Sequence, residues 1–388
     1  MDRKTFLGYL TQIRIEDAKK LCADETVPLK ETAGRCGYNN ITYFKRVFKD
    51  YTGTIIGNYR KDFKMSKASD MMRAEWSVND AKRDAGLTTP EDVERFDDIV
   101  YGPDPVWNVL DVYRPKNEKG ILPVIVSVHG GGWVYGDKQL YQFYTMSLAQ
   151  RGFAVINFTY GLAPEFKFPS QLADTNRVME WMFDNAEKYG LDTRNVFMVG
   201  DSAGAHLLAL YTNICTNPAC AASYPFKVPH NFVPTAIALN CGAYRPMDWH
   251  EIPENNKDSE EEKAAGNAQE SGDKNQVLNT DTTVQLMKDL LPGSLTRETL
   301  RQIDVTEFMT AAYPPLFVMT AYGDQTVGPE QVKALLSACD AKNIPYTHRE
   351  YGNAEHPLYH VFHVTVQEPM GQKCNDDECE FFRKQMNK

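Results

Sequence analysis

The sequence lacks several features that would place it in a specialised class of protein. No stretch reaches the roughly 18 consecutive apolar residues that a membrane helix needs. The first residues lead into a mixed-charge segment without the apolar core of a secretory signal peptide. None of the eight cysteines forms a CxxC or zinc-ribbon pattern. We therefore predict a cytoplasmic protein with free thiols, no membrane association and no metal.

The charge that is present is distributed unevenly along the chain. The 388 residues carry a net charge of −10 and are 42% hydrophobic, which suits a protein of more than one globular domain. Residues 1–64 hold 13 Lys and Arg against 8 Asp and Glu, whereas the remainder holds 29 against 44. Because an acidic body repels nucleic acid, any contact with DNA is expected only in the N-terminal segment.

The apolar pattern divides the chain into three parts. Residues 1–64 form a small helical segment, and residues 65–97 are polar and helical without a strand signal, which predicts a linker or cap. From residue 98 to 388, β-rich runs alternate with helix-length segments. The clearest runs are residues 121–128, 153–159, 196–199, 236–239 and 316–319. This alternation predicts an α/β protein with a mostly parallel sheet covered by helices.

One segment of the third part contains almost no large apolar residues. Residues 251–281 are rich in Glu, Asp, Asn, Lys and Gly. A lid over a site is one interpretation, but the composition favours a solvated surface insertion.

The motif GDSAG at residues 200–204 is typical of a catalytic serine. It follows an apolar strand and precedes a helical stretch, which is the context that a nucleophile elbow requires. Its glycines permit the sharp turn that exposes Ser202. A structural turn is the alternative, but it leaves the second motif unexplained.

The second motif is HGGGW at residues 129–133, directly after another strand. Glycines there let backbone N–H groups face a substrate carbonyl, and we expect Gly131, Gly132 and Ala203 to form an oxyanion hole. A phosphate loop is disfavoured because neither GxGxxG nor Walker spacing is present. His129 is interpreted as a loop-shaping residue.

Together these motifs resemble the hormone-sensitive-lipase-like branch of the α/β-hydrolases, over roughly residues 98–385. YGLAPE at residues 160–165 is similar to that family's YRLAPE, with Gly161 in place of arginine. The resemblance implies an α/β-hydrolase fold, a carboxylesterase activity and a triad in the order Ser, acid, His. Neither a cofactor nor a metal is needed for that chemistry.

The acid and the base of this triad must follow later strands. Asp324 comes after the strand at 316–320 and is the predicted acid, with a capping role as the alternative. His356, His360 and His363 all follow the last strand. We select His360 because HVF resembles the family's HGF, whereas His356 better matches the distance from the strand. The base accepts the Ser202 proton through Nε2 while Asp324 holds Nδ1.

The N-terminal segment contains motifs of a different kind. These are YLTQIRI at residues 9–15, GY at 37–38, YF at 43–44, VF at 47–48 and YR at 59–60. They resemble the DNA-binding domain of the AraC family, which implies a first helix at residues 29–35, a turn at Gly37 and a recognition helix at 39–49. The candidate DNA contacts are Asn39, Asn40, Thr42, Lys45 and Arg46. Tyr43, Phe44, Val47 and Phe48 are predicted to form core.

Only one of the family's two helix-turn-helix units is present, which predicts weak DNA binding. An affinity on the order of 10⁻⁴ to 10⁻⁶ M is expected unless the protein forms an oligomer. An equally good interpretation is that this segment is the remnant of a DNA-binding domain, which packs on the esterase or mediates association between protein molecules.

The leading hypothesis is a serine carboxylesterase for short-chain or aromatic acyl esters, such as acetylated or feruloylated sugars. The alternative is a DNA-binding regulator whose hydrolase-like domain senses an ester. A membrane lipase is disfavoured because no basic amphipathic helix is evident.

Overall fold

The computed structural model describes residues 6–22, 27–52, 55–57, 59, 66–251 and 280–387. Contacts divide the chain into two units, Met1–Lys67 and Ala68–Lys388. The predicted surface insertion at residues 251–281 lies outside the described residues except at its two ends.

The described residues of the first unit include the helices α1 (Phe6–Cys22), α2 (Leu29–Arg35) and α3 (Ile41–Thr52). Gly37 has a φ of +75° in the turn between α2 and α3, a value that favours glycine. Helix α3 begins two residues later than predicted, because the Asn40 side-chain oxygen accepts the N–H of Tyr43 at 2.9 Å and caps the helix.

The core of this unit includes one face of α3. Phe44, Val47 and Phe48 are buried, at the spacing of successive helical turns. The prediction that Tyr43 belongs to the core is wrong, since its side chain is 42% exposed. The Tyr43 ring lies at the border of this core, 6.2 Å from the ring of the buried Tyr38, and the guanidinium of Arg46 lies 5.2 Å from its centroid.

The second unit contains one eight-stranded sheet with the order β1-β2-β4-β3-β5-β6-β7-β8. The strands are β1 (Val93–Val100), β2 (Val109–Pro115), β3 (Leu122–Val128), β4 (Ala154–Phe158), β5 (Leu191–Asp201), β6 (Ala236–Asn240), β7 (Leu316–Ala321) and β8 (Tyr346–Tyr351). Strands β1 and β2 pair antiparallel with their neighbours, and β3 to β8 are parallel. The predicted mostly parallel α/β fold is confirmed.

Helices cover both faces of this sheet. The longer ones are α4 (Lys67–Arg83), α5 (Lys138–Gln150), α6 (Ser170–Asp184), α8 (Ala203–Thr216), α10 (Thr280–Leu290), α13 (Pro329–Lys342) and α14 (Pro369–Gln385); the shorter ones are α7 (Ala186–Tyr189), α9 (Pro218–Ala221), α11 (Arg297–Arg301) and α12 (Val305–Phe308). Alternate side chains of β3 enter different cores: Val124 and Val126 join one apolar cluster, and Ile125 joins the other. Helices α6 and α8 contribute to the first cluster, and α5 and α14 to the second.

Strand β1 corrects the expectation that residues 65–97 contain no strand. It is an edge strand of the sheet, and the residues of its sequence VERFDDIV are mostly charged or partly exposed. Charged edge strands protect a sheet from further pairing, so they lack the apolar alternation that identifies a strand in sequence.

The eight cysteines are in the reduced form that the sequence predicts, and all but Cys215 are buried. Among the helices of the described ranges, none combines the length and apolar character needed to cross a membrane.

Candidate active site

Ser202 occupies a strained turn between the end of β5 and the start of α8. Its φ of 52° and ψ of −121° lie in a region that side-chain-bearing residues rarely adopt. A Cβ on Gly200 would lie 2.6 Å from the carbonyl oxygen of Gly204, and one on Gly204 would lie 2.1 Å from that of Val128. Both glycines are therefore required by close backbone packing, and together they hold the serine at the carboxyl edge of the parallel strands.

His360 lies between Ser202 and Asp324. Its Nε2 is 2.9 Å from Ser202 Oγ, and its Nδ1 is 2.8 Å from Asp324 Oδ2. Asp324 follows β7 and His360 follows β8, and because these strands are parallel to β5 their carboxyl ends meet at one edge. Three residues far apart in the chain form one continuous hydrogen-bonded line.

The environment of Asp324 keeps it ionised. Burial raises the pKa of this carboxyl, but the hydrogen bond and charge of His360 lower it, as do the N–H groups of Val327 and Thr326. The net result is a pKa below the usual range for aspartate. An ionised carboxylate facing Nδ1 directs the Nδ1–H tautomer and leaves Nε2 free to accept a proton.

The other two candidate histidines lie elsewhere. His356 is exposed, and its backbone N–H donates to the Asn353 side chain. His363 is fully buried with its ring edge-on to Tyr144, and neither of its ring nitrogens has a hydrogen-bond partner in the part of the chain that the structure describes. Burial is the main cause that lowers the pKa of His363, to about 3, so this imidazole is neutral.

The glycine loop after β3 supplies unpaired backbone donors. Gly131 and Gly132 have φ values of 112° and 58°, and a Cβ on Gly131 would lie 2.0 Å from the carbonyl oxygen of Tyr135. Within the described residues, the N–H groups of Gly131, Gly132 and Ala203 have no hydrogen-bond acceptor. Gly131 lines the cavity at Ser202, Gly132 lies next to Met72 of α4, and Ala203 opens α8.

His129 packs against this glycine loop. Its ring stacks on Tyr160 with centroids 4.0 Å apart, and its Nδ1 is 2.8 Å from the carbonyl oxygen of Gly130. Burial lowers the pKa of His129 to about 4, against the effect of the Gly130 hydrogen bond. A neutral, fully buried imidazole in these contacts is a structural element of the loop.

A cavity of about 270 Å³ opens onto Ser202. Four of its lining residues come from α4: Trp76, Asn79, Asp80 and Arg83. No sequence motif points to this helix as part of a site, although the four positions have the i, i+3, i+4, i+7 spacing of one helical face. This face could not be predicted from the sequence, because an amphipathic helix is identified by a stripe of apolar residues and these four residues differ in polarity.

One group of side chains in the described chain has the composition of a metal site. Ligand atoms of Cys241, Asp324 and His360 lie within 4.8 Å of one another. Burial, and then the charge of Asp324, raise the pKa of Cys241 well above its ordinary value, which disfavours the thiolate that a metal requires. Asp324 and His360 also form a hydrogen bond with each other, which occupies the atoms that a metal ion would need.

The parallel sheet, the serine elbow after β5 and the glycine loop after β3 define an α/β-hydrolase. A family model described as BD-FAE matches residues 110–338, and the chain belongs to this family. A second model, described as a helix-turn-helix domain, matches residues 3–62, and the N-terminal unit is an AraC-type helix-turn-helix domain.

Curated relatives match a part of this chain. The chain is 30% identical over 155 residues to esterase LipC of Mycobacterium tuberculosis, a match that covers 39% of this chain and 37% of the relative. It is 40% identical over 107 residues to arylacetamide deacetylase of Rattus norvegicus, covering 26% and 27%. The chain thus spans less than two fifths of the length of these relatives.

Solved structures of esterases share the fold over about four fifths of this chain. Esterase B of Lactobacillus rhamnosis has a TM-score of 0.68 at 24% identity and covers 82% of this chain and 95% of its own. An esterase of Pyrobaculum calidifontis has a TM-score of 0.60 at 20% identity, covering 81% and 92%. At these identities the likeness establishes the fold.

Proposed function

We propose that the protein is a serine carboxylesterase with Ser202, His360 and Asp324 as its catalytic triad. The observation that carries this proposal is the position of His360, whose two nitrogens lie within 2.9 Å of Ser202 Oγ and Asp324 Oδ2. A histidine with a purely structural role would not be expected to hydrogen-bond both a strained serine and an ionised carboxylate. The esterase names of the relatives support the same reaction.

The mechanism follows from this line of hydrogen bonds. Ser202 Oγ attacks the ester carbonyl while its proton passes to His360 Nε2, and Asp324 stabilises the resulting imidazolium. The oxyanion accepts hydrogen bonds from the free N–H groups of the glycine loop and Ala203. His360 then protonates the leaving alcohol, and a water molecule activated by the same base releases the acid from the acyl-enzyme.

The cavity supports a substrate with a compact acyl group. Its volume of about 270 Å³ is at the small end of ligand pockets, which span about 300 to 1,000 Å³. Trp76 offers an aromatic wall, and the Asn79 amide is an exposed polar group at the cavity rim. Short-chain or aromatic acyl esters of polar alcohols, such as acetylated or feruloylated sugars, fit this combination.

Hydrolysis of a p-nitrophenyl acyl series from C2 to C12 tests the proposal. The wild type is expected to prefer the short chains, and Ser202→Ala and His360→Ala are each expected to remove nearly all turnover. His356→Ala is the matched control, because this histidine is exposed and lies in the same loop. Loss of activity at His356 rather than His360 would reassign the base, and an inactive wild type would reject the esterase.

A second function is favoured by the first unit: a DNA-binding regulator whose hydrolase-like domain senses an ester. The candidate DNA contacts of this AraC-type domain are all exposed: Asn39 and Asn40 directly precede α3, and Thr42, Lys45 and Arg46 lie within it. Asn40 also caps α3 through its side-chain oxygen, which leaves chiefly its amide N–H groups for DNA.

Fluorescence anisotropy with duplex DNA at several salt concentrations tests this second function. Weak binding is expected, and Lys45→Ala with Arg46→Ala should reduce the salt slope by about 2 if each contacts a phosphate. Binding no stronger than that of an acidic control protein rejects DNA binding. An oligomeric state and a cytoplasmic location stay predictions.

A further inference from the structure

A buried tyrosine connects the two backbone segments that form the proposed oxyanion hole. Tyr141 lies in the first turn of α5, and its hydroxyl accepts the N–H of Gly130 at 3.1 Å and donates to Asp201 Oδ2 at 2.6 Å. Gly130 directly precedes the donor Gly131, and Asp201 directly precedes Ser202. We propose that Tyr141 is a positioning residue that holds the glycine loop in alignment with the nucleophile elbow.

The residues around this hydroxyl are closely packed. A Cβ on Gly130 would lie 2.7 Å from Asp201 Oδ2, 2.9 Å from the carbonyl oxygen of Asp201 and 3.0 Å from the Tyr141 hydroxyl. No side chain therefore fits at Gly130 between these two residues. A hydroxyl that bonds both segments transmits any movement of one segment to the other.

The protonation of the pair suits this role. Burial, and then the charge of Asp201, raise the pKa of Tyr141 well above its ordinary value, so the hydroxyl keeps the proton it donates. Asp201 is 2% exposed, and burial raises its pKa to about 7 even though the Tyr141 hydrogen bond lowers it. Without that hydroxyl, both the Asp201 carboxyl and the Gly130 N–H would lack this buried partner.

Alignment of this kind acts on the rate of reaction more than on substrate binding. The N–H groups of Gly131 and Ala203 belong to different segments and must converge on one oxygen, and loss of a single oxyanion donor typically costs about 10² to 10³ in kcat. Removing only the Tyr141 hydroxyl loosens the alignment without deleting a donor. Tyr141→Phe is therefore expected to lower kcat by about 10- to 100-fold while KM changes less than about threefold.

Tyr144 provides a matched control on the same helix. It is buried, and its hydroxyl donates to the Glu378 carboxylate at 3.2 Å. Burial raises the pKa of Glu378 to about 7, so this pair repeats the chemistry of Tyr141 and Asp201. Its hydroxyl bonds to neither Gly130 nor Asp201, and Tyr144→Phe is expected to lower the Tm while kcat stays within about twofold.

The experiment compares kcat, KM, Tm and the affinity for phenylboronic acid, a mimic of the tetrahedral adduct, in the wild type and both variants. Tyr141→Phe is expected to lose kcat and boronate affinity together, and Tyr144→Phe to lose only thermal stability. A second pair of variants keeps the test independent of folding: Asp201→Asn retains an oxygen that accepts from Tyr141 and is expected to be at least tenfold more active than Asp201→Ala.

This inference rests on the proposed esterase function, and the two can fail separately. A wild type that neither hydrolyses any ester nor binds the boronate rejects the esterase itself. An active wild type whose folded Tyr141→Phe variant matches Tyr144→Phe in kcat and boronate affinity rejects only the positioning role.

Discussion

Arg73 of α4 forms a two-point ion pair with Glu165, at 2.9 Å from Nη1 to Oε1 and 2.8 Å from Nη2 to Oε2. The same guanidinium donates to the carbonyl oxygens of Val134 and Ala163. Glu165 belongs to the YGLAPE segment, in which Gly161 stands where the resembled family has arginine. A Cβ on Gly161 would lie only 2.5 Å from the Phe166 ring, so the glutamate obtains its partner from another element.

Arg73→Ala is expected to destabilise the second unit by about 2–3 kcal/mol, because a partly buried carboxylate and two carbonyl groups lose a charged donor. Since α4 lines the cavity, esterase activity should fall along with the Tm. Lys82→Ala is the control, an exposed residue near the end of the same helix, and it should change stability by less than about 0.5 kcal/mol. Equal effects of the two substitutions in chemical denaturation would contradict the anchoring role.

Asp324→Asn separates the two functions that this side chain serves. Its Oδ1 accepts the N–H groups of Thr326 and Val327, and its Oδ2 accepts from His360 Nδ1. Asparagine can keep the turn contacts but presents an amide N–H₂ to Nδ1, which favours the wrong tautomer. We expect kcat to fall by about 10³ to 10⁴ with a small change in Tm. An unchanged kcat would identify Asp324 as a turn-capping residue only.

His363 should make the fold sensitive to acid. Its pKa in the folded state is about 3, well below the ordinary 6.5, because burial disfavours the charged ring. Between pH 6.5 and about 3 the unfolded chain binds a proton that the folded chain does not, so stability falls as pH falls. The effect approaches about 1.4 kcal/mol per pH unit within that window.

Urea unfolding of the wild type and His363→Phe between pH 4 and pH 8 measures this linkage. The free energy of unfolding of the variant, relative to that of the wild type, is expected to rise steadily as the pH falls below 6.5. The difference between the two proteins at pH 8 measures the effect of the changed packing alone. A difference that stays constant over this range would show that the histidine binds protons equally well in the folded and unfolded states, which would contradict the prediction.

Trp76→Ala is expected to move the acyl-chain optimum toward longer chains. The indole lines the cavity and its ring lies edge-on to Tyr135, so its removal opens space beside Ser202. Relative kcat/KM for C8 over C2 should rise at least about tenfold, from the apolar area that a longer chain then buries. Val78→Ala on the solvent face of the same helix is the control, with 52% exposure. An unchanged profile in both variants would place the acyl group elsewhere.

Features that depend on neighbouring residues could be predicted from the sequence. The elbow at residues 200–204 and the glycine loop at 129–133 are short motifs whose backbone geometry follows from their own glycines. The apolar runs of β3 to β7 identified the parallel sheet, because strands buried on both faces are continuously apolar. Helix α2 has the bounds that the resemblance to the AraC family implies.

Other features depend on contacts between distant parts of the chain. Strand β1 exists because β2 pairs with it, and α4 lines the cavity because Arg73 and Met72 dock it beside the glycine loop. Spacing alone did not separate His356 from His360, since both lie in one loop after β8. Only the packing of that loop places Nε2 of His360 at 2.9 Å from Ser202, because a hydrogen bond across 158 residues is decided by tertiary contacts and not by local preference.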